Sequence, residues 1–373
     1  MPEPTGEYAV GTKSFSIYND REEILESGKG GMRSIASRVY YPAEKESVKD
    51  LPKCRYMSRE MAAAMRSAFF VPINYDKLEK SGENISYCYE NIPSVPDKKF
   101  PLIIFNHGYQ SYRESNSFLC IELASHGYVV VSVTHSYECL VAEFDDGTCI
   151  KYDKKNTSRM YNSILSGIKE TFKLLKAKGT DRELAEGFDE SQRKNMPFLM
   201  TRVPEWEKDV QSVISYCEKN FADMIDFEKG IGATGHSFGG PVAFALCLDD
   251  PRFVCGANMD GAFFGDFTGK VQDKPFLQIS CEANRPVVTR AFIDHRKPAY
   301  QAVLKGMKHL GFSDMKNMIP IKSQVGSLDP DIAHELVSKC HLEFFDTYIK
   351  GIKDKPVFPE SEFLITKEYE PDI

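Results

Sequence analysis

The sequence predicts an α/β protein with a mainly parallel central sheet and helices on both of its faces. Short apolar runs rich in β-branched residues recur along the chain, as in PLIIF from Pro101 and YVVVSV from Tyr128, and such runs are typical of strands buried on both faces. Segments with helical spacing separate these runs, which is the order of a sheet covered by helices. The chain has 373 residues, of which 42% are hydrophobic and 27% charged, so it can bury a large core.

The part of the chain before residue 100 is the less regular one. Alternating residues in 8–18 and 33–41 predict two strands, and we expect them to add an antiparallel edge to the sheet. The Met-rich stretch from Met57 to Phe70 contains good helix formers and predicts a helix within an insertion that covers residues 43–100.

From residue 100 onward the pattern is regular. Apolar runs predict six core strands, at residues 100–106, 128–133, 229–234, 253–259, 275–280 and 300–304. We expect the last of these, 300–304, to be the final strand of the sheet. Helical spacing predicts three core helices, at residues 115–126, 238–248 and 331–349. Gly127 is placed to end the first of them.

Residues 156–225 lack strand signals and predict mainly helices, with breaks near Gly179, near Gly187 and around Pro197. Because this segment stands between two core strands, we expect its first part, residues 150–205, to be a helical cap or lid insertion. The whole chain, residues 1–373, is then predicted to form one domain.

Composition excludes several classes of function. The net charge of −7 is spread along the chain, whereas a nucleic-acid partner would require a basic face. The longest apolar runs are too short to span a membrane, and the start MPEPTGE shows no secretory signal. The ten cysteines lack C-x-x-C spacing, so we expect reduced thiols, a cytoplasmic protein, and neither a metal nor a cofactor.

One motif carries chemistry: Gly235-His236-Ser237-Phe238-Gly239 follows a predicted strand and precedes a predicted helix. In that setting G-x-S-x-G marks a sharp turn that presents a nucleophilic serine, and its glycines remove Cβ atoms that would clash. The alternative is a Gly-rich turn in which Ser237 only caps a helix, and it leaves the preceding strand unexplained. We therefore predict Ser237 as the nucleophile of a serine esterase with an α/β-hydrolase fold.

A serine needs a base, and the base needs a carboxylate that orients it. In this fold the acid follows the nucleophile and precedes the histidine. Asp260 closes the strand after the nucleophile helix and is the predicted acid. Its rivals, Asp266 and Asp273, lie in the following loop, where exposed turn carboxylates are common.

The predicted base is His309, which follows the last predicted core strand. Its main rival, His295, lies in the charged run DHRK, which is typical of a solvated loop. His334 and His341 belong to the terminal helix and are interpreted as surface or packing residues.

The oxyanion of an acyl-transfer intermediate needs two backbone N–H donors. One is predicted to be the amide after the nucleophile, that of Phe238. The other is expected in Asn106-His107-Gly108-Tyr109, the loop after an early strand, and we choose the amide of Tyr109. His107 precedes the serine and is interpreted as a structural residue that shapes this loop.

These pieces resemble the plasma and type II platelet-activating-factor acetylhydrolase family of α/β-hydrolases. The similarity extends from about residue 8 to 350 and is weakest in 43–95 and 150–205. It rests on these pieces: Val10-Gly11, Arg38 to Pro42, Phe105-Asn106-His107-Gly108, Arg113, LASHGYVV from Leu123, GHSFGG from Gly235, Asp260 and His309. The chain departs from the family pattern at Gln110, at Pro241 and in residues 261–264.

The resemblance implies calcium-independent hydrolysis of a short or oxidised acyl ester at the sn-2 position of a phospholipid. It implies Ser237, Asp260 and His309 as the triad and the amides of Tyr109 and Phe238 as the oxyanion donors. A small ester or phospholipid is then the partner, and the substrate-binding residues and oligomeric state are left open.

Other functions fit parts of the sequence. A general short-chain carboxylesterase would use the same residues, whereas a dienelactone-type hydrolase usually has a cysteine nucleophile and a peptidase of this fold a propeller domain. A non-catalytic binding module usually lacks a triad member. Met57–Phe70 and Phe198-Leu199-Met200 are candidates for an acyl pocket or a transient lipid-surface contact, with packing on the core as the alternative.

Overall fold

A computed structural model describes residues 1–25, 28, 30–69, 73–166, 172–174, 176–318 and 321–373. The strands in these residues are β1 (Ala9–Ile24), β2 (Gly30–Ala43), β3 (Tyr89–Glu90), β4 (Leu102–Asn106), β5 (Val129–Val133), β6 (Val141–Glu143), β7 (Cys149–Lys151), β8 (Ile231–His236), β9 (Phe253–Met259), β10 (Phe276–Cys281), β11 (Ala299–Leu304) and β12 (Leu364–Tyr369).

The longer helices in the same residues are α1 (Arg59–Phe69), α2 (Tyr75–Ser81), α3 (Ser117–Ser125), α4 (Lys154–Ser166), α5 (Asp181–Asn195), α6 (Pro197–Asn220), α7 (Gly239–Asp249) and α8 (Pro330–Phe345). A π-helical turn, Asp346–Lys350, follows α8. Short helical turns, of the α or 3₁₀ type, lie at Lys45–Val48, Phe227–Lys229, Glu282–Val287, Thr289–Phe292, His309–Phe312, Met315–Met318 and Lys322–Val325.

Ten of the strands form one sheet in the order β12-β11-β10-β9-β8-β4-β5-β2-β1-β3. The six from β11 to β5 run parallel, whereas β12 pairs antiparallel with β11 and β2 with both β5 and β1. The carboxyl ends of the parallel strands therefore meet at one edge, where ligands bind in open α/β sheets.

Both faces of this sheet are buried. In β4, Leu102 and Ile104 belong to an apolar cluster with Trp206 of α6, while Ile103 and Phe105 belong to a second cluster that contains residues of α3 and α8. Alternate residues of a strand point to opposite faces, so helices cover the sheet on both sides. The predicted α/β-hydrolase architecture is confirmed. The two early strands, β1 and β2, extend the sheet in antiparallel pairing, as predicted.

The structure corrects two predictions about the elements. The strand at 300–304 is not the last, because β12 adds an edge strand in which Leu364 alone is buried, and such a strand leaves only a short apolar run, Phe363-Leu364-Ile365, in the sequence. The expected break near Gly187 is wrong, since α5 continues through it. A capping box between Thr180 and Glu183 starts this helix, and buried Leu184 and Phe188 hold it on the core.

Most of the larger apolar side chains described in the two stretches considered for lipid contact are buried. Met57, Met61 and Met65 pack in a cluster with Tyr112, and Phe198 and Leu199 lie in the main core. Phe70, the last residue of the first stretch, lies outside the described residues. This burial favours packing on the core over contact with a lipid surface.

Across the described ranges, no helix is both long enough and apolar enough to cross a membrane.

Candidate active site

Ser237 lies at the turn between β8 and α7, at the carboxyl edge of the parallel strands. Its φ is 56°, in the left-handed region that a non-glycine residue seldom occupies. Its amide donates to the carbonyl of Met259 at 2.9 Å, and its carbonyl accepts from the amide of Gly240 at 3.0 Å. These contacts hold a strained turn of the type that presents a nucleophile.

The glycines of the motif are required by close backbone contacts. A Cβ atom on Gly235 would lie 2.2 Å from the carbonyl oxygen of Gly239, and one on Gly239 would lie 2.1 Å from that of Asn106. Both distances are far below van der Waals contact, so only glycine lets α7 approach β8 and β4 this closely.

We expect Gly235→Ala to lower the free energy of unfolding by about 2–3 kcal/mol, because the new methyl group overpacks a rigid backbone contact. Gly31→Ala is the matched control, since a Cβ there meets no atom within 4 Å, and its effect should stay within about 0.5 kcal/mol. Urea unfolding of both variants measures the difference. Equal stability of the two would contradict the steric requirement at the turn.

The structure brings the predicted nucleophile, base and acid together. Ser237 Oγ lies 2.8 Å from His309 Nε2, and His309 Nδ1 lies 2.8 Å from Asp260 Oδ2. With a neutral imidazole, the serine hydroxyl donates to Nε2 and the Nδ1 proton is donated to the carboxylate. The three side chains come from the β8–α7 turn, the end of β9 and the helical turn after β11, so the fold aligns residues that are distant in the chain.

The buried carboxylate of Asp260 has further donors. The amide of Cys281 donates to Oδ1 at 2.8 Å, and the side-chain amide of Asn284 donates to Oδ2 at 2.7 Å. These bonds offset the cost of burying the carboxylate and fix its plane toward His309. Sequence reasoning missed Asn284, because nothing in the local pattern after β10 sets it apart.

His236 was also missed, although it belongs to the nucleophile motif. Burial, helped by the nearby His309, lowers the pKa of His236 to about 3, so its ring is neutral at pH 7. Its Nε2 donates to the carbonyl oxygen of His309 at 3.0 Å. The motif therefore also anchors the main chain of the predicted base.

The rival residues lie elsewhere. Asp266 and Asp273 are exposed, as expected of turn carboxylates. The expectation that His295 lies in a solvated loop is wrong, because this residue is buried and its Nδ1 donates to the carbonyl of Lys297 at 2.7 Å.

The two histidines of α8 pack inside the protein. His334 stacks on Phe118 with ring centroids 4.0 Å apart, and His341 lies 3.0 Å from Thr234 Oγ1. Burial lowers the pKa of each to about 4, so both are neutral packing residues at pH 7.

The two amides chosen for the oxyanion hole flank the serine. Within the described residues, neither the amide of Tyr109 nor that of Phe238 donates to another protein group. A Cβ on Gly108 would lie 3.0 Å from the Cβ of Ser237, which shows how closely this loop approaches the nucleophile. The Tyr109 and Phe238 rings meet edge to face at 5.7 Å.

Fold and site together define an α/β-hydrolase with a hydrogen-bonded serine, histidine and aspartate at the carboxyl edge of its sheet. The sequence model of platelet-activating factor acetylhydrolase, isoform II, matches residues 1–356. The chain belongs to this family, and it is a carboxylic ester hydrolase.

Curated relatives agree with this assignment. Platelet-activating factor acetylhydrolase of Cavia porcellus is 26% identical, with 94% of this chain and 78% of the relative aligned, and that of Bos taurus is 28% identical, with 95% and 78% aligned. A probable 1-alkyl-2-acetylglycerophosphocholine esterase of Arthroderma benhamiae is 21% identical over 98% of this chain and 90% of its own. The structure of a ferulic acid esterase from Streptomyces cinnamoneus superposes with a TM-score of 0.67 at 19% identity, over 97% of both chains, which supports the fold.

Proposed function

We propose that the chain hydrolyses the short or oxidised sn-2 acyl ester of a phospholipid, through an acyl-enzyme on Ser237. The observation that carries the mechanism is the line of two 2.8 Å contacts from Ser237 Oγ through the His309 ring to Asp260. Membership of the acetylhydrolase family and the names of the relatives support the substrate class.

In the first half-reaction, Ser237 Oγ attacks the ester carbonyl carbon as its proton passes to His309 Nε2. The tetrahedral intermediate then collapses, the bond to the alcohol oxygen breaks, and His309 returns the proton to that oxygen. The lysophospholipid leaves and the acyl group stays on Ser237. Water then attacks the acyl carbon as its proton passes to His309. His309 returns that proton to Ser237 Oγ, and the carboxylic acid and the free serine are released.

Asp260 and the two amides act on charge that develops in these steps. As His309 takes the proton, its imidazolium is stabilised by the carboxylate of Asp260 2.8 Å away, which also keeps the Nδ1 proton in place. The amides of Tyr109 and Phe238 donate to the oxyanion. A donor of this kind is worth about 10²- to 10³-fold in kcat.

The helices of residues 150–205 act in this proposal as a cap on a single domain of residues 1–373. Gln192 of α5 donates to the carbonyl of Phe263 at 3.1 Å and accepts from the amide of Gly265 at 3.0 Å, in the segment that follows Asp260. Phe264 of that segment lies between Phe188 of α5, at 5.6 Å, and Phe238, at 6.0 Å. Aromatic side chains beside an oxyanion donor offer apolar walls to a small acyl group.

The substrate is tested with three esters: 1-alkyl-2-acetyl-glycerophosphocholine, the same scaffold with an sn-2 palmitoyl chain, and p-nitrophenyl acetate. We expect kcat/KM for the sn-2 acetyl lipid to exceed that for the palmitoyl lipid by about 10²-fold or more, because the aromatic walls proposed above suit a small acyl group. Hydrolysis of p-nitrophenyl acetate without hydrolysis of either lipid would reject the phospholipid and leave a general carboxylesterase.

We propose a reducing, cytoplasmic environment for the protein. All ten cysteines are free, and Cys149 alone among them is exposed. Free thiols at this number fit a compartment in which disulfides do not accumulate.

A further inference from the structure

The peptide group between Gly108 and Tyr109 carries the amide proposed for the oxyanion hole. His107 Nδ1 donates to the carbonyl oxygen of Gly108 at 2.7 Å. In a trans peptide the C=O and N–H bonds point in opposite directions, so a bond that fixes this carbonyl also fixes the direction of the Tyr109 N–H. The position of the His107 ring therefore sets the aim of an oxyanion donor.

A second residue, His135, keeps the proton of the His107 ring on Nδ1. The backbone amide of His135 donates to His107 Nε2 at 3.2 Å, so Nε2 is the acceptor and Nδ1 the protonated nitrogen. Burial lowers the pKa of His107 to about 3, and the ring is neutral at pH 7.

The side chain of His135 reaches the same loop by a separate route. Its Nε2 lies 3.1 Å from Asn106 Oδ1, and Asn106 is the last residue of β4 and the first of the oxyanion loop. Burial lowers the pKa of His135, so its ring is neutral and carries one N–H. With that proton on Nδ1, Nε2 is an acceptor, and the Asn106 side chain meets it through its amide NH₂ once the oxygen and nitrogen of that amide exchange places. His135 thus contacts two successive residues of the loop, one through its ring and one through its main chain.

The His135 ring is itself held by a buried carboxylate. Nδ1 lies 2.9 Å from Asp209 Oδ2, and Arg33 binds both oxygens of Asp209, at 2.7 and 2.6 Å. Burial alone would raise the pKa of Asp209, but Arg33 and the bond from His135 keep it well below its usual range. The carboxylate therefore stays ionised and fixes the ring.

Trp206 of α6 restricts the ring further. It stacks on His135 with centroids 3.7 Å apart and planes 9° from parallel. The same indole meets Phe238 at 4.9 Å and stacks on Tyr109 at 6.3 Å. One rigid side chain thus contacts His135 and both residues that supply the proposed oxyanion amides.

We propose, resting on the proposed function, that His135 held by Asp209 is a positioning residue for ester hydrolysis. This second aspartate–histidine pair acts through Asn106 and His107 and aims the Tyr109 amide at the developing oxyanion. It contacts no reacting atom. A pair that served only the stability of the core would affect unfolding, but it would not affect the relative affinity for a tetrahedral oxyanion.

His135→Phe tests the role, because the ring can still stack on Trp206 while both side-chain hydrogen bonds are lost. With p-nitrophenyl acetate we expect kcat to fall by up to about 10²-fold, because the Tyr109 amide is retained but misplaced relative to the oxyanion, and KM to change by less than about threefold, since ground-state binding is retained. Affinity for a trifluoromethyl ketone, whose serine adduct carries an oxyanion, should fall by about the same factor as kcat.

His341→Phe is the matched control. His341 is likewise buried and hydrogen-bonded on both ring nitrogens, to Thr234 Oγ1 and the carbonyl of Val337, but it has no bond to the oxyanion loop. We expect its kcat and ketone affinity to stay within about twofold of wild type. Equal ketone affinities for the two phenylalanine variants would overturn the positioning role.

A further variant and the parent enzyme complete the test. His135→Gln can still form a side-chain hydrogen bond to Asn106, so it should recover part of the lost kcat, and it takes the place of His135→Phe if that variant does not fold. Ketone affinity of His135→Gln at the wild-type value, with the bond to Asp209 removed, would reject the role of Asp209. Wild-type activity that disappears in Ser237→Ala supports the proposed function independently, and a wild-type chain without ester hydrolysis would overturn both.

Discussion

Ser237→Ala is expected to abolish labelling by a fluorophosphonate and to lower kcat by about 10⁴- to 10⁶-fold. The probe reacts when a serine oxygen attacks phosphorus and displaces fluoride, which requires the oxygen to lose its proton to a base. Ser237 Oγ is 2.8 Å from the nitrogen that would accept it. The methyl group of alanine cannot form the bond to phosphorus or to an acyl carbon, so the remaining rate would come from the oxyanion donors and substrate binding alone.

Ser37→Ala is the control for this variant. Ser37 is buried in β2, and its hydroxyl has no hydrogen-bond partner among the described residues. Its replacement should leave labelling at the wild-type level, as followed by in-gel fluorescence and intact mass. Stoichiometric labelling of Ser237→Ala would show that another residue is the nucleophile.

The sequence predicted those residues of the site whose positions depend on local chain geometry and on the order of the helices and strands. The turn at Ser237 needs glycines at two nearby positions, and the steric reason appears in the sequence as a motif. Asp260 and His309 follow core strands whose apolar runs are visible, and parallel strands deliver their carboxyl ends to one edge.

The part that sequence could not predict depends on contacts between distant segments. His295 stands in a charged run, yet its amide donates to the side chain of Asp372 at 2.8 Å, 77 positions away, and the residue is buried. Arg33, Asp209 and His135 come from β2, α6 and the loop after β5, and none has a local pattern that indicates burial. Charged residues are mostly exposed in folded proteins, so the sequence alone predicts that these residues contact solvent. Their burial in one ionic network becomes apparent only in the folded structure.

His309→Ala is expected to lower kcat on p-nitrophenyl acetate by about 10⁴- to 10⁶-fold, because no other side chain in the described ranges is hydrogen-bonded to Ser237 Oγ. The His309 side chain is 41% exposed, so its removal leaves no closed cavity, and Asp260 keeps its bonds from Cys281 and Asn284. The melting temperature should therefore fall by only a few degrees, about the cost of one hydrogen bond. Loss of activity in a folded protein then reports on the base alone.

His295→Ala provides the contrast, since the two histidines were the rival bases in the sequence. The His295 side chain is 2% exposed, so truncation should cost stability, by about 1–3 kcal/mol for a lost buried hydrogen-bonding group. Activity per folded molecule, titrated with the fluorophosphonate, should nevertheless remain near wild type. The reverse outcome, an inactive but folded His295→Ala together with an active His309→Ala, would move the base to the other histidine. The hydrogen bond from His309 Nδ1 to Asp260 would then be a structural contact, because an orienting carboxylate has a catalytic effect only through the base it holds.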